Sequence, residues 1–295
     1  MSLHLNKSNL IKFFVVSNLQ HIHLFFLFLS LIFLTPVSQA QTIDDGQKNN
    51  QIKIFLLGEI HDNSHSHDLR YEFFQSLITD VPNAIVAMEQ FDSSNQASLD
   101  LALNNCGEAE CVIQKAGTVG WDWNFYKPYV QLALDKKVSL IAANLSNEDV
   151  RKVMTNGFLA IYSQADITNY KLNEIGSTLV EKQTKSIKEG HCNMLPPVAV
   201  GPMVKGQIAR DVWMADIINK TQSRLIILLA GNGHVRKDAG IYQWLTARKK
   251  LQTQVHGFVE QVDSRDSDWF DYVHLAQTIE REDPCKAFET HRLAK

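Results

Sequence analysis

The chain has 295 residues, a formal net charge of −3, and a composition that is 45% hydrophobic and 21% charged. This length allows one large domain or two small ones, and the composition is that of an ordinary globular protein whose core is large enough to fold without a metal. A mildly acidic chain without a basic stripe is a poor nucleic-acid binder, so nucleic acid is excluded as a partner.

The start of the chain has the pattern of a secretory signal peptide. Lys7 and Lys12 are the only formally charged residues before Ala40, residues 24–34 are almost purely apolar, and the segment ends in small residues. We predict a signal peptide over residues 1–40, with cleavage after Ala40. The alternative is a retained membrane anchor, but the apolar run is too short to span a bilayer comfortably.

Cleavage at this point predicts an exported, periplasmic protein. Residues 41–50 are polar, and we expect them to form a disordered lead-in. No cysteine stands at the predicted cleavage point, so the lipid attachment that would tether the protein to the outer membrane has no signal there.

The four cysteines, Cys106, Cys111, Cys192 and Cys285, are candidates for disulfides in an exported protein. Cys106 and Cys111 frame a short polar loop, so their pairing is the natural prediction, and Cys192 would then pair with Cys285. Four cysteines allow three connectivities, and the sequence alone does not choose among them.

Short apolar runs alternate with helical patterns along the chain, which predicts an α/β fold with a mostly parallel sheet and helices on both faces. Residues 156–222 contain no strong strand pattern, and we predict a helical insertion there, within an α/β domain formed by residues 51–155 and 223–295. A further helix is predicted over residues 238–248. The predicted strands are 52–57, 84–88, 138–143, 225–229, 254–259 and 272–276.

Polar and ionisable residues follow four of these strands at the point where each ends. Glu59 and His61 follow the first strand, Glu89 the second, Asn144 the third and His234 the fourth. Because right-handed crossovers place the carboxyl ends of parallel strands at one edge, we expect these side chains to meet there. The structural alternative for Glu89 is a salt bridge, for which an arginine such as Arg210 or Arg236 would be needed.

A metal-dependent peptidase or esterase is one function that this edge supports. His61, Glu89 and His234 would bind a divalent metal ion and leave a position open for water, while Glu59 would act as the general base. The two Gly-x-x-His sequences that end in His61 and His234 motivate this hypothesis.

Several further sequence motifs accompany the polar strand ends. Together with the strand ends they resemble the ChaN-like haem-binding uptake family, within the wider Tiki and erythromycin-esterase-like superfamily, over residues 52–290. The motifs are Leu57–Asn63, Met88–Phe91, Gly120–Trp123 with Tyr126, Ala143–Ser146, Gly190–Cys192, Gln207–Ala215 and Gly231–Asp238.

The resemblance implies an exported protein that binds haem in iron uptake, without turnover of a substrate. Haem iron takes His, Cys, Met or Tyr as its axial ligand, and the propionates need cations. Candidate ligands are His61, His234, Tyr126 and Tyr129, and the sequence does not choose among them. The candidate cations are Arg210 and Arg236. An outer-membrane haem receptor system and a second copy of the chain are the protein partners that this interpretation suggests.

Overall fold

The computed structural model describes residues 53–79, 81, 83–283 and 285–286. The predicted signal peptide over residues 1–40 and the predicted lead-in over residues 41–50 lie outside the described residues. Within the described ranges, no helix is long and apolar enough to cross a membrane.

The described strands form one sheet of six strands in the order β3-β2-β4-β1-β5-β6, and every neighbouring pair is parallel. This confirms the predicted fold class. The strands are β1 (Lys53–Leu57), β2 (Ile85–Asp92), β3 (Ser139–Asn144), β4 (Leu225–Leu229), β5 (Thr253–Val259) and β6 (Tyr272–Leu275).

The central strands are apolar on both sides because both faces of the sheet are covered. All five residues of β4 are buried. In β1, Phe55 and Leu57 belong to one core cluster, whereas Ile54 and Leu56 belong to the other. Burial of each Leu or Ile side chain contributes about 1.5–3 kcal/mol, so these short strands are held mainly by packing.

Helices from different parts of the chain cover the two faces. Helices α1 to α4 pack on the face that carries Phe55, and the second half of α8 packs on the opposite face. The helices are α1 (Ser64–Leu77), α2 (Gln96–Asn105), α3 (Ala109–Ala116), α4 (Trp123–Lys136), α5 (Asn147–Asn156), α6 (Gln164–Asn169), α7 (Ser177–Gly190), α8 (Pro197–Lys220), α9 (Asn232–Val235), α10 (Ala247–Lys250) and α11 (Asp266–Trp269).

A third core cluster lies away from the sheet, where the first half of α8 packs against α5, α6 and the turns between them. Residues 156–222, all of which the structure describes, are helices and connecting turns. Helix α8 runs for 24 residues and therefore contributes to both this cluster and the sheet. It begins with Pro197, which suits a first helical position because no hydrogen bond is lost there.

The single helix predicted over residues 238–248 is wrong. The chain instead forms a 3₁₀ turn over Ile241–Trp244 and then the short helix α10. The side chain of Thr246 accepts a hydrogen bond from the backbone N–H of Lys249, which caps a new helix and so interrupts the predicted one.

Both predicted disulfides are present. Cys106 pairs with Cys111 between α2 and α3, and Cys192 pairs with Cys285. The second bridge closes 93 residues of sequence and joins the end of α7 to the segment beyond β6. A bridge over a loop this long removes about 4–5 kcal/mol of chain entropy from the unfolded state, in the simple entropic model.

Candidate functional site

The backbone after β1 and the backbone after β4 approach each other closely at the carboxyl edge of the sheet. The amide of Asn232 donates to the carbonyl of Glu59 at 3.0 Å, and its side chain bridges to both backbone groups of Phe258. A Cβ on Gly58 would lie 2.1 Å from Asn232 Oδ1. Gly58 is therefore needed because no larger residue leaves room for this bridge.

Glu59 is fully buried directly below this edge and is the centre of a hydrogen-bonded network. Its Oε1 accepts from the hydroxyl of Tyr126 at 2.6 Å and lies 2.6 Å from Nδ1 of His61. Its Oε2 is in contact with Nη2 of Arg70. Arg70 in turn donates from Nε to the hydroxyl of Tyr129 at 3.0 Å. We call Glu59, Arg70, Tyr126 and Tyr129 the arginine network.

His61 is the member of this region that reaches the surface, with 52% of its side chain exposed. The ring lies edge-on to Trp121, with 5.1 Å between centroids, and a Cβ on Gly231 would lie 2.9 Å from Nε2. His67 stabilises the backbone here, since its Nε2 is 3.0 Å from the carbonyl of His61. The imidazole therefore sits in a gap that the glycine keeps open.

A second buried cluster lies on the other side of this gap. His234 is held between two carboxylates, with Nδ1 2.5 Å from Asp211 and Nε2 3.3 Å from Glu89. Glu89 also accepts from the amide of Gly231 at 2.9 Å. Gln183 donates to Asp211 at 3.0 Å, which ties α7 to α8. We call Glu89, Asp211 and His234 the histidine clamp.

The two clusters hold their charges differently. Burial alone would raise the pKa of Glu59, but Arg70 and the hydrogen bond to His61 outweigh it, so that pKa is lowered. Burial alone would lower the pKa of His234, but Glu89 and Asp211 raise it to about 10. His234 is therefore protonated at neutral pH, and its partner Glu89 has a pKa lowered to about 2 against the opposing effect of burial.

The neighbouring carboxylate of Glu59 shifts the pKa of His61. Burial lowers the pKa of His61, whereas the hydrogen bond to Glu59 and the charges of Glu59 and Glu89 raise it, and the net shift is upward. Tyr126 shows the same influence, because burial and the Glu59 charge both raise the pKa of its hydroxyl, which stays protonated.

The two predicted propionate-binding arginines have different surroundings. Arg210 donates to three neutral oxygens, on Asn144, Leu145 and Asn147, and forms no ion pair within the described part of the chain. Arg236 is committed to Asp238, to which it donates two parallel hydrogen bonds of 2.8 and 2.9 Å. Neither arginine pairs with Glu89, so the suggested salt bridge to them is wrong, and His234 is the partner instead.

The metal-binding hypothesis gains no support from this geometry. Across the described residues, no group of three or more His, Cys, Asp or Glu side chains is arranged to hold a metal ion. His61, Glu89 and His234 do converge on the same edge, as predicted. However, both ring nitrogens of His234 already face carboxylates, and a protonated imidazole offers no lone pair to a metal.

Arg70 and Asp211 are site residues that the sequence analysis missed. Arg70 lies on α1 four residues before the core residue Phe74 and is itself completely buried. A charge placed on the apolar face of a helix requires a buried partner, and this was the signal available. Asp211 follows Arg210 on α8, yet its burial depends on the packing of α7, which no local pattern reveals.

Comparisons with known proteins bear on the identity of this fold and site. The model of the family described as "Haem-binding uptake, Tiki superfamily, ChaN" matches residues 47–245. A solved structure, "Cofacial heme binding to ChaN of Campylobacter jejuni", is 20% identical, covers 80% of this chain and 91% of its own, and superposes with a TM-score of 0.64. At this identity the likeness shows the fold alone.

More distant structures share less. An erythromycin esterase mutant, EreC, in its open conformation is 17% identical over 81% of this chain and 80% of its own, with a TM-score of 0.39. A succinoglycan biosynthesis protein is 14% identical over 73% and 68% of the two chains, with a TM-score of 0.38. The comparison with curated proteins found no match.

Proposed function

This chain belongs to the ChaN family of haem-binding uptake proteins in the Tiki superfamily, and from this premise we propose that it binds haem at the carboxyl edge of the sheet, where His61 is the side chain that would hold the iron. The observation that most directly supports the proposal is the environment of the His61 side chain. Its imidazole is half-exposed, its Nδ1 is held by Glu59, and the ring occupies the space that Gly231 leaves free.

The donor set around His61 fits haem. Imidazole is an ordinary axial ligand, and haem when bound supplies an iron centre that accepts one. Trp121 stands edge-on beside the ring, so an aromatic side chain that could contact a porphyrin lies next to His61. Arg210 is the cation best suited to a propionate, because its present partners are all neutral.

The other predicted haem-binding residues have supporting roles in this proposal. The hydroxyls of Tyr126 and Tyr129 point inward to Glu59 and Arg70, and both side chains are buried. His234 holds the clamp together, and Arg236 is neutralised by Asp238. We assign these four residues to the architecture of the pocket and not to direct contact with haem.

Export to the periplasm and a role in iron uptake form the wider part of the proposal. Two disulfides suit an oxidising compartment, and the predicted signal peptide provides the route. A haem receptor at the outer membrane and a second copy of the chain remain the proposed partners. Sedimentation of the purified protein, with and without hemin, tests the second copy.

Titration with hemin tests the binding proposal directly. Purified mature protein should develop a shifted Soret band that saturates near one hemin per chain. His61→Ala should weaken the affinity at least about tenfold, since the ligand is removed. His65→Ala is the matched control, because that histidine lies on the adjacent helix and its Nδ1 accepts from Gln277. Absence of a shifted band at near-stoichiometric hemin would overturn the proposal.

A further inference from the structure

Basic side chains surround an exposed leucine at the amino edge of the sheet, where the parallel strands begin. Strands β4, β1 and β5 start side by side there, because the amide of Lys53 donates to the carbonyl of Arg224 and the amide of Ile54 donates to the carbonyl of Gln252, each at 2.9 Å. Helix α10 ends just before Leu251 and therefore lies beside these strand starts. We call the following residues the basic edge: Lys53, Arg224, Arg248, Lys249, Lys250 and Leu251.

The cations of the basic edge are not balanced by neighbouring acids. Three of them are exposed, and the ammonium groups of Lys249 and Lys250 donate to backbone carbonyls at 2.7 and 3.1 Å. Asp216 and Asp271, on the bordering elements, each already pair with another lysine. In the part of the chain that the structure describes, no carboxylate forms an ion pair with a cation of the basic edge. The whole chain carries a net charge of −3, so this surface differs in sign from the rest of the protein and attracts anions.

Leu251 distinguishes between the anionic partners that such a surface could bind. Its side chain is 88% exposed, although it lies among basic residues. Surfaces that lie on anionic bilayers combine these two features, because Lys and Arg are attracted to the lipid phosphates while an apolar side chain enters the layer below them. A nucleic acid would satisfy the cations, but it offers no apolar layer to a leucine.

We propose that the basic edge is a docking surface for an anionic phospholipid bilayer, with its cations at the headgroup phosphates and Leu251 inserted beneath them. The proposal does not require haem, and it goes beyond the proposed function because it assigns a partner to the opposite end of the sheet. All six strands are parallel. A protein docked in this way therefore presents the carboxyl edge, with Glu59 and Glu89, away from the bilayer.

Co-sedimentation with sucrose-loaded vesicles tests the proposal. The mature protein should sediment with vesicles of mixed phosphatidylglycerol and phosphatidylcholine, but not with vesicles of phosphatidylcholine alone. Salt at about 1 M should release it, because screening then limits the attraction to about 3 Å. The double variant of Arg224→Gln and Arg248→Gln should bind the mixed vesicles at least about tenfold more weakly, since each basic residue near an anionic surface contributes a factor of about five.

Matched variants separate this surface from general effects of charge and apolarity. Leu251→Ser should weaken binding to the mixed vesicles severalfold, and Val262→Ser is its control, because Val262 is 68% exposed but follows β5 at the opposite edge. The control for charge is the double variant of Arg151→Gln and Lys205→Gln, which removes two exposed cations from α5 and the first half of α8. Both controls should bind within about twofold of wild type.

Two outcomes would overturn the proposal. Absence of sedimentation with the mixed vesicles would do so, and it would make an acidic protein the alternative occupant of the basic edge. An equal loss of binding in the two double variants would also do so, because the attraction would then depend on net charge and not on this edge. Hemin binding should be the same in the double variant of Arg224→Gln and Arg248→Gln as in wild type, so the result is independent of the proposed function.

Discussion

The arginine network and the histidine clamp lie at the same edge of the sheet, yet they neutralise buried carboxylates in different ways. In the arginine network the counter-charge of Glu59 is a guanidinium, which is permanent. In the histidine clamp it is the imidazolium of His234, which can lose its proton. In the arginine network Glu59 accepts a hydrogen bond from the half-exposed ring of His61, whereas in the histidine clamp both ring nitrogens of His234 face buried carboxylates.

The difference indicates a division of labour. The permanent ion pair of Glu59 and Arg70 suits a site that must hold His61 in one orientation. The histidine clamp joins β2 and the short helix α9 to α8, and it suits a structural role because each of its charged groups already has a partner within the clamp. Variants in the two clusters should therefore differ in what they damage.

The largest effect is expected from Arg70→Met. Loss of the guanidinium leaves the buried Glu59 without its permanent counter-charge, and removal of one partner of a buried ion pair typically costs about 3–5 kcal/mol of the free energy of unfolding. Urea denaturation measures it. The double variant with Glu59→Gln should recover a large part of the loss, because the stranded charge is gone. A loss below about 1 kcal/mol in Arg70→Met would show that Glu59 is not charged in the folded protein.

A pH-dependent loss is expected from His234→Gln. The folded pKa of His234 is raised to about 10, above the ordinary value of about 6.5. Its stabilisation is therefore complete below about pH 6.5 and is lost as the pH rises toward 10. We expect wild type to exceed the variant by roughly 3 kcal/mol at pH 6 and by much less at pH 9.5. A difference that stays constant with pH would contradict a protonated clamp.

Two alanine substitutions in the turn after β4 distinguish an effect on His61 from an effect on the turn itself. Gly231→Ala places a Cβ 2.9 Å from Nε2 of His61, whereas Gly233→Ala meets nothing within 4 Å. The half-exposed ring can move away, so we expect little change in stability but an affinity for hemin about tenfold lower in Gly231→Ala only. Equal affinities in the two variants would place haem away from His61.

The smallest effect is expected from the arginines. Arg210→Gln removes a cation that forms no ion pair with any described residue, and hemin affinity should fall by roughly threefold, with the loss shrinking at high salt. Arg236→Gln is the control, because Asp238 already neutralises that side chain. A larger loss in Arg236→Gln than in Arg210→Gln would reverse the assignment of the propionate-binding cation.

The features that the sequence predicted correctly are those that depend on neighbouring residues along the chain. Apolar runs that end in Gly-x-x-His identified β1, β4 and the edge where His61 and His234 meet. The pairing of charges could not be predicted in the same way. Glu59 pairs with Arg70 from α1, and His234 pairs with Asp211 from α8, and such partners depend on how helices pack across the sheet. Strand order was likewise hidden, since β4 enters between β1 and β2.

Direct identification of the haem ligand tests the central claim most sharply. Electron paramagnetic resonance and absorption spectra of ferric haem should show a histidine-ligated iron in wild type. His61→Gly should lose that signature, and imidazole added to the buffer should restore it by filling the vacated position. An unchanged spectrum and affinity in His61→Gly would contradict the assignment of His61 as the ligand at this edge of the sheet.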